Sequence, residues 1–189
     1  GNVETSTCIT NCLYGALGVL ASSQPTLNNF TFGNERYQYY ETISGGSGAG
    51  GTFDAEGMLT GGFDGTSVVQ THMTNSRLTD PEVLEFRFPV RLDSYEIRQG
   101  SGGAGQWKGG NGGIRRVRFL EDMTASILSN GRKHGAFGMA GGQPGQVGVN
   151  RVVRSNGAVE ELDHIGQAEM KPGDVFEIHT PGGGGYGAA

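Results

Sequence analysis

The chain has 189 residues, of which 36 are glycine, with only 35% hydrophobic and 17% charged residues and a formal charge of -5. That length is one domain's worth and suffices to bury a core; the acidic balance offers no basic face to nucleic acid, and no apolar run approaches the ~18 residues of a membrane span. The glycines cluster without a three-residue period, which excludes a collagen-like chain, and the apolar segments between the clusters argue against disorder.

Residues 4–21 read as the one convincing helix. Thr5 or Ser6 is suited to cap it and Glu4 favours its positive end. Ile9, Cys12, Leu13, Leu17 and Leu20 form an apolar stripe at helical spacing, and Ser22-Ser23-Gln24-Pro25 ends it. Such a helix, rich in Ala and Gly, is expected to pack inside a larger assembly. Cys8 and Cys12 are the only cysteines. Their C-x3-C spacing puts both on one face, poorly placed for a disulfide and too few for a zinc site; a reduced, structural role and a cytoplasmic location are expected. No signal peptide is visible, and the abrupt start on Gly1-Asn2-Val3-Glu4 suggests a piece cut from something longer.

After Pro25 the texture turns to strands. Segments 28–33 and 37–43 alternate polar and aromatic residues around Asn34-Glu35-Arg36, a hairpin signal. The tract 44–51 has spacings like a nucleotide fingerprint, but no helical pattern follows it, so no helix terminus is on offer for a phosphate. Residues 67–71 suggest a short strand. Residues 83–98 alternate Leu84, Phe86, Phe88, Val90 and Leu92 against polar partners, a strand that Pro89 places at an edge or bulge. A second glycine tract, 100–113, carries the only tryptophan, Trp107, expected to pack over an ordered loop. Residues 114–120 and 123–128 read as strands paired about Glu121-Asp122, and 149–154 and 159–162 as a hairpin about Ser155-Asn156-Gly157. A last strand, 175–180, runs into Pro181 and four glycines. The fold class expected is mainly β, a sandwich of short strands and glycine-rich loops with one N-terminal helix, belonging to a larger α+β subunit.

The chemistry concentrates in Thr71-His72-Met73-Thr74-Asn75-Ser76-Arg77-Leu78-Thr79-Asp80. Such a run is either a connector whose polar groups satisfy their own backbone or the wall of a site. On the second reading His72 is the catalytic candidate and Thr74, Asn75, Arg77 and Asp80 line the substrate; on the first, Arg77 and Asp80 pair and His72 caps the loop. An Arg beside an Asn suits a substrate carboxylate or carbonyl. Arg132, Lys133 and His134 offer an anion site but read more simply as a solvated turn. No metal-binding spacing and no G-x-S-x-G elbow occurs.

Several long motifs resemble the hydantoinase B/5-oxoprolinase family over nearly the whole chain: residues 1–6, Leu13-Tyr14-Gly15-Ala16-Leu17-Gly18, Thr71 to Ser76, the 84–90 segment, Arg98 to Gly105, Trp107-Lys108-Gly109-Gly110, and Pro172-Gly173-Asp174 with the closing Thr180 to Gly187. The resemblance implies the C-terminal part of a B subunit or B domain spanning 1–189. It implies hydrolysis of a cyclic amide of the 5-oxoproline or N-methylhydantoin type through a phosphorylated carbonyl, with ketone carboxylation or a purely structural module as the alternatives. ATP and Mg2+ are then expected on a partner hydantoinase A-type subunit or domain, in a hetero- or homo-oligomer, and a divalent metal on the upstream part of the B subunit. Thr71-His72-Met73-Thr74 lacks the aspartate of the family's metal motif, so no cofactor is expected on this segment and His72 is not a metal ligand on this reading.

Overall fold

In the strand Asn28–Gly33 every second side chain, Phe30 and Phe32, is fully buried, and in Gly113–Phe119 the inward set is Arg115, Val117 and Phe119. This two-residue period is the signature of sheets with one face on a core. A computed structural model describes residues 3–24, 28–72 and 76–189. In chain order the elements are α1 (Val3–Leu17), β1 (Asn28–Gly33), β2 (Gln38–Thr42), β3 (Gly50–Phe53), β4 (Leu59–Phe63), α2 (Pro81–Arg87) and β5 (Val90–Ile97). There follow β6 (Gly113–Phe119), β7 (Met123–Ser129), β8 (Val149–Val153), β9 (Val159–Leu162), β10 (Ile165–Met170) and β11 (Val175–His179). A sheet ordered β10-β7-β1-β2 faces one ordered β5-β6-β11-β8-β9, and β3-β4 stands apart as a hairpin. Phe30, Phe32, Phe119, Phe176, Ile127 and Met170 fill the space between the two sheets.

The β1–β2 and β8–β9 hairpins form as their turn signals require. Four other expectations are corrected. The first helix ends at Leu17, because Gly18 turns left-handed at φ 72°, and it begins at Val3, so Thr5 and Ser6 lie inside it. Residues 81–87 are helical, not extended. Asp80 accepts from the Glu82 N–H at 3.0 Å and Pro81 occupies the first turn, a start signal stronger than the alternation. Leu84 is therefore buried while Phe86 is 91% exposed. The strand proper begins at Val90, on the sheet edge and with a bulge at Leu92/Ser94. Residues 67–71 make an isolated bridge, Gly45 to Val69, rather than a strand.

The largest correction concerns β6 and β7, which do not pair. They lie in opposite sheets, and residues 120–122 carry the chain across the core. Four extended steps span about 13 Å, more than the ~10 Å between packed sheets. The arch lets Val117 and Phe119 face Ala125 and Ile127 across one core.

Outside the sandwich the glycine tracts pack on one another. Along 182–187 the N–H groups donate in turn to the carbonyls of Gln146, Gly110, Ser22, Gln143, Trp107 and Met139. Partners recur every third residue (146 then 143, 110 then 107), which is the period of an extended threefold helix rather than of a strand. Each N–H thus finds a neighbour in a different direction, and the axes approach too closely for side chains. A Cβ on Gly183 would fall on the Ser47 carbonyl, and one on Gly184 on that of Phe137. Tyr186 closes the bundle, its hydroxyl donating to the Gly18 carbonyl at 2.7 Å and its ring 6.0 Å from Trp107.

Candidate functional site

α1 is held by a polar clamp at Asn11 and by Phe137 and Met139 packed closely on Gly15. Among its described side chains Thr7 and Asn11 are the buried ones, whereas Ile9, Leu13 and Leu17 are 53%, 59% and 71% exposed, and both cysteines are free and exposed. Asn11 donates from Nδ2 to the Ser23 carbonyl at 3.0 Å and accepts the Ser23 N–H on Oδ1 at 3.1 Å. That clamp fixes Oδ1 as the acceptor. His72 Nε2 lies 2.9 Å from the same oxygen, so Nε2 carries the proton and Nδ1 is left with its lone pair.

Burial pushes the His72 pKa below its ordinary value, so the ring is neutral at pH 7. Its backbone sits in the left-handed region at φ 58°, and the β-branched Val68 nearby does so at φ 51°. Non-glycine residues rarely adopt this conformation, and two within five residues mark a segment whose shape the surroundings impose. His72 opens on a cavity of about 580 Å³ floored by glycine backbone (Gly48, Gly51) and ringed by Tyr14, Ser23, Ser47, Thr66, Gln70 and Phe63.

A second cavity of about 440 Å³ lies across Val69 and Gln70, which line both. Arg77, Ser76, Ser44 and Tyr95 face it. Arg77 is exposed and has no ion-pair or hydrogen-bond partner among the described residues. The polar stretch thus puts His72 and Arg77 on adjoining hollows. Asp80 is not with them: it lines neither cavity and caps α2, and no ion pair joins it to Arg77 among the described residues. Thr74 and Asn75 lie outside the described residues.

Sequence reasoning missed what stands behind Tyr95. Glu41 and Arg115, buried and from opposite sheets, meet in a bidentate pair of 2.6 and 2.8 Å. The Tyr39 hydroxyl donates to Glu41 at 2.8 Å; burial, then the Glu41 charge, push the Tyr39 pKa up to about 12. The Arg115 guanidinium sits 5.4 Å from the Tyr95 ring centre, and the Tyr95 hydroxyl is 3.3 Å from Ser44 Oγ. The signal was present: Arg115 is in phase with Val117 and Phe119, and Glu41 with Tyr39 and Ile43, so each charge points inward and requires the other.

The family model described as hydantoinase B/oxoprolinase matches residues 1–189. The chain belongs to the hydantoinase B/oxoprolinase family. It is 42% identical over 187 residues to a 5-oxoprolinase of Dictyostelium discoideum, a match covering 99% of this chain and 14% of that protein. Its fold is similar, at TM-score 0.64, to the ATP-dependent caprolactamase of Pseudomonas jessenii, with 22% identity over 90% of this chain and 30% of that one. A nucleotide-free acetone carboxylase gives the same TM-score of 0.64 at 16% identity, covering 87% of this chain and 26% of its own. The chain therefore spans only about a seventh of the 5-oxoprolinase it matches. No helix among the described residues is long and apolar enough to cross a membrane.

Proposed function

We propose that this segment of the hydantoinase B/oxoprolinase family is the C-terminal part of a B-type catalytic subunit or domain that opens a cyclic amide of the 5-oxoproline or N-methylhydantoin type. The reaction proceeds through a carbonyl activated by ATP on a hydantoinase A-type partner, with Mg2+ there and a divalent metal on the upstream B region. We place the protein in the cytoplasm, where two free thiols stay reduced. Among the described residues no group of three His, Cys, Asp or Glu side chains converges as a metal would need, and no step below passes through one.

The observation that carries the reading is His72: neutral, fixed through Nε2 by Asn11, with no partner on Nδ1 among the described residues. An amide carbonyl resists attack by water until its oxygen is made a leaving group. Once it is activated, Nδ1 takes a proton as the water oxygen bonds to the carbonyl carbon. The ring C–N bond then breaks with that proton returned to the leaving nitrogen, and a second water releases phosphate from the acyl phosphate, the proton transfers contributing about 10²–10⁴ in rate. In this reading Arg77, which lines the next hollow with Tyr95, holds a substrate carboxylate.

The test is turnover of 5-oxoproline and N-methylhydantoin with ATP and Mg2+ by the longer protein carrying this segment. His72→Ala is expected to lower kcat at least a hundredfold with the assembly intact; unchanged turnover removes His72 from the chemistry.

A second role is favoured by the exposed stripe Ile9, Leu13 and Leu17. We infer that it also supplies contacts to the rest of the catalytic assembly. Leu13→Asp should then disrupt assembly, whereas His72→Ala should not.

A further inference from the structure

From a turn in which Lys133 and His134 are exposed, the Arg132 side chain reaches inward to Asn28 and Asn150. Its guanidinium is largely enclosed, lies against the Gly148 backbone where a Cβ would come within 2.7 Å of its Cζ, and among the described residues is held only by neutral oxygens. Nη1 donates to Asn28 Oδ1 and to the Asn130 carbonyl, each at 2.6 Å, and Nη2 to Asn150 Oδ1 at 2.7 Å. Asn28 belongs to β1 and Asn150 to β8, so the arginine bridges the two sheets. Nε is buried with no partner among the described residues.

Comparison with the other arginines shows what is missing. Arg115 closes its Nε–Nη2 fork on Glu41, Arg118 on Asp93 and Arg154 on Glu160. Arg132 presents the same fork to an amide oxygen and to nothing. A cavity of about 270 Å³ opens beside it, lined also by Ser129, Lys133, His134 and His164. Among the described residues the one carboxylate tied to this rim by an ion pair is Asp163, 2.7 Å from His164 Nδ1, also drawn on by the Lys133 charge and not paired with Arg132. Burial, and then the neighbouring Arg98 charge, push the Arg132 pKa down to about 9, so the guanidinium charge is poorly compensated where it sits.

We propose that this cavity is a binding site for a small oxyanion, a phosphate or a carboxylate, with Arg132 as the buried anchor and Lys133, His134 and His164 at the mouth. The pairing is the planar one by which a guanidinium reads carboxylate and phosphate oxygens. The asparagines pre-orient it, and Gly148 leaves it room. The site is separate from His72 and does not rest on the reaction assigned to it.

The test is calorimetric titration of the full-length protein with inorganic phosphate and, separately, acetate at low ionic strength. The first anion to saturate at one site per chain identifies the class. Arg132→Lys keeps the charge but removes the fork, and should weaken that binding about tenfold or more. The double variant Lys133→Gln/His134→Gln changes only exposed residues; it should weaken binding several-fold and flatten its salt dependence, and it decides the matter if Arg132→Lys does not fold. No saturable binding of either anion overturns the site. So does binding that both folded variants retain at wild-type strength, because the anion then sits elsewhere in the chain.

Discussion

The sandwich and the glycine bundle bury backbone in opposite ways. Between the sheets, strands pair edge to edge and their inward side chains fill the gap: phenylalanine, valine, isoleucine and one charged pair. In the bundle the side chain is absent, and neighbouring segments approach until carbonyls occupy the space a Cβ would take. The first region is stabilised mainly by apolar area removed from water. The second is stabilised by hydrogen bonds radiating to several neighbours, at the conformational cost of ordering glycine. A core of side chains can relax around a lost atom, whereas a bundle of backbones cannot accommodate an added one. His72 lies at the margin of the rigid region, on a segment whose left-handed residues the bundle holds in place.

The comparison is broken most severely at Gly183. Gly183→Ala sets a methyl on the Ser47 carbonyl, with Gly48 behind it; we expect loss of the folded bundle, read by thermal melting and by proteolysis of the glycine tracts. Gly61→Ala, where the nearest atom is Thr52 Oγ1 at 3.1 Å, should leave the fold intact. If Gly183→Ala melted like Gly61→Ala, the backbone-packed picture would be wrong.

Within the sandwich, Arg115→Met leaves the Glu41 carboxylate buried without its cation. The expected loss is about 3–5 kcal/mol by denaturant unfolding, recovered in good part by the double variant with Glu41→Leu. Phe30→Ala, fully buried, should cost a similar ~3–5 kcal/mol, with the fold retained.

The smallest effect is a pH dependence that separates the regions. Burial lowers the pKa of His72 beside the bundle; it also lowers that of His179 in the sheet, against the opposing pull of Glu177. The unfolded chain takes up each proton first. Stability is therefore full above pH about 6.5 and falls below it until the folded rings titrate. His72→Gln and His179→Gln should each remove part of that slope; a slope unchanged in both would place its origin in other groups.

What the sequence determined by itself is local. Alternation located β1, β6, β7 and β11, turn residues located the β1–β2 and β8–β9 hairpins, and motif resemblance located the family. Alternation also misplaced 83–87, because Leu84 and Phe86 satisfy a strand pattern until the Asp80-Pro81 start signal is weighed. Tertiary structure alone decided the rest. Whether β6 pairs with β7 or arches to the opposite sheet depends on which faces share a core, and a three-residue connector permits either. The lone pair on His72 Nδ1 follows from Asn11, sixty-one residues away, and its clamp on Ser23. The burial of Arg132 follows from Asn28 and Asn150, which reach it from opposite sheets. The three-residue period of the bundle is written in hydrogen-bond partners and not in the order of the glycines, because each turn of an extended helix meets a different neighbour. A sequence specifies which residues can come close, but the charge and proton states of a site are fixed by what actually surrounds it.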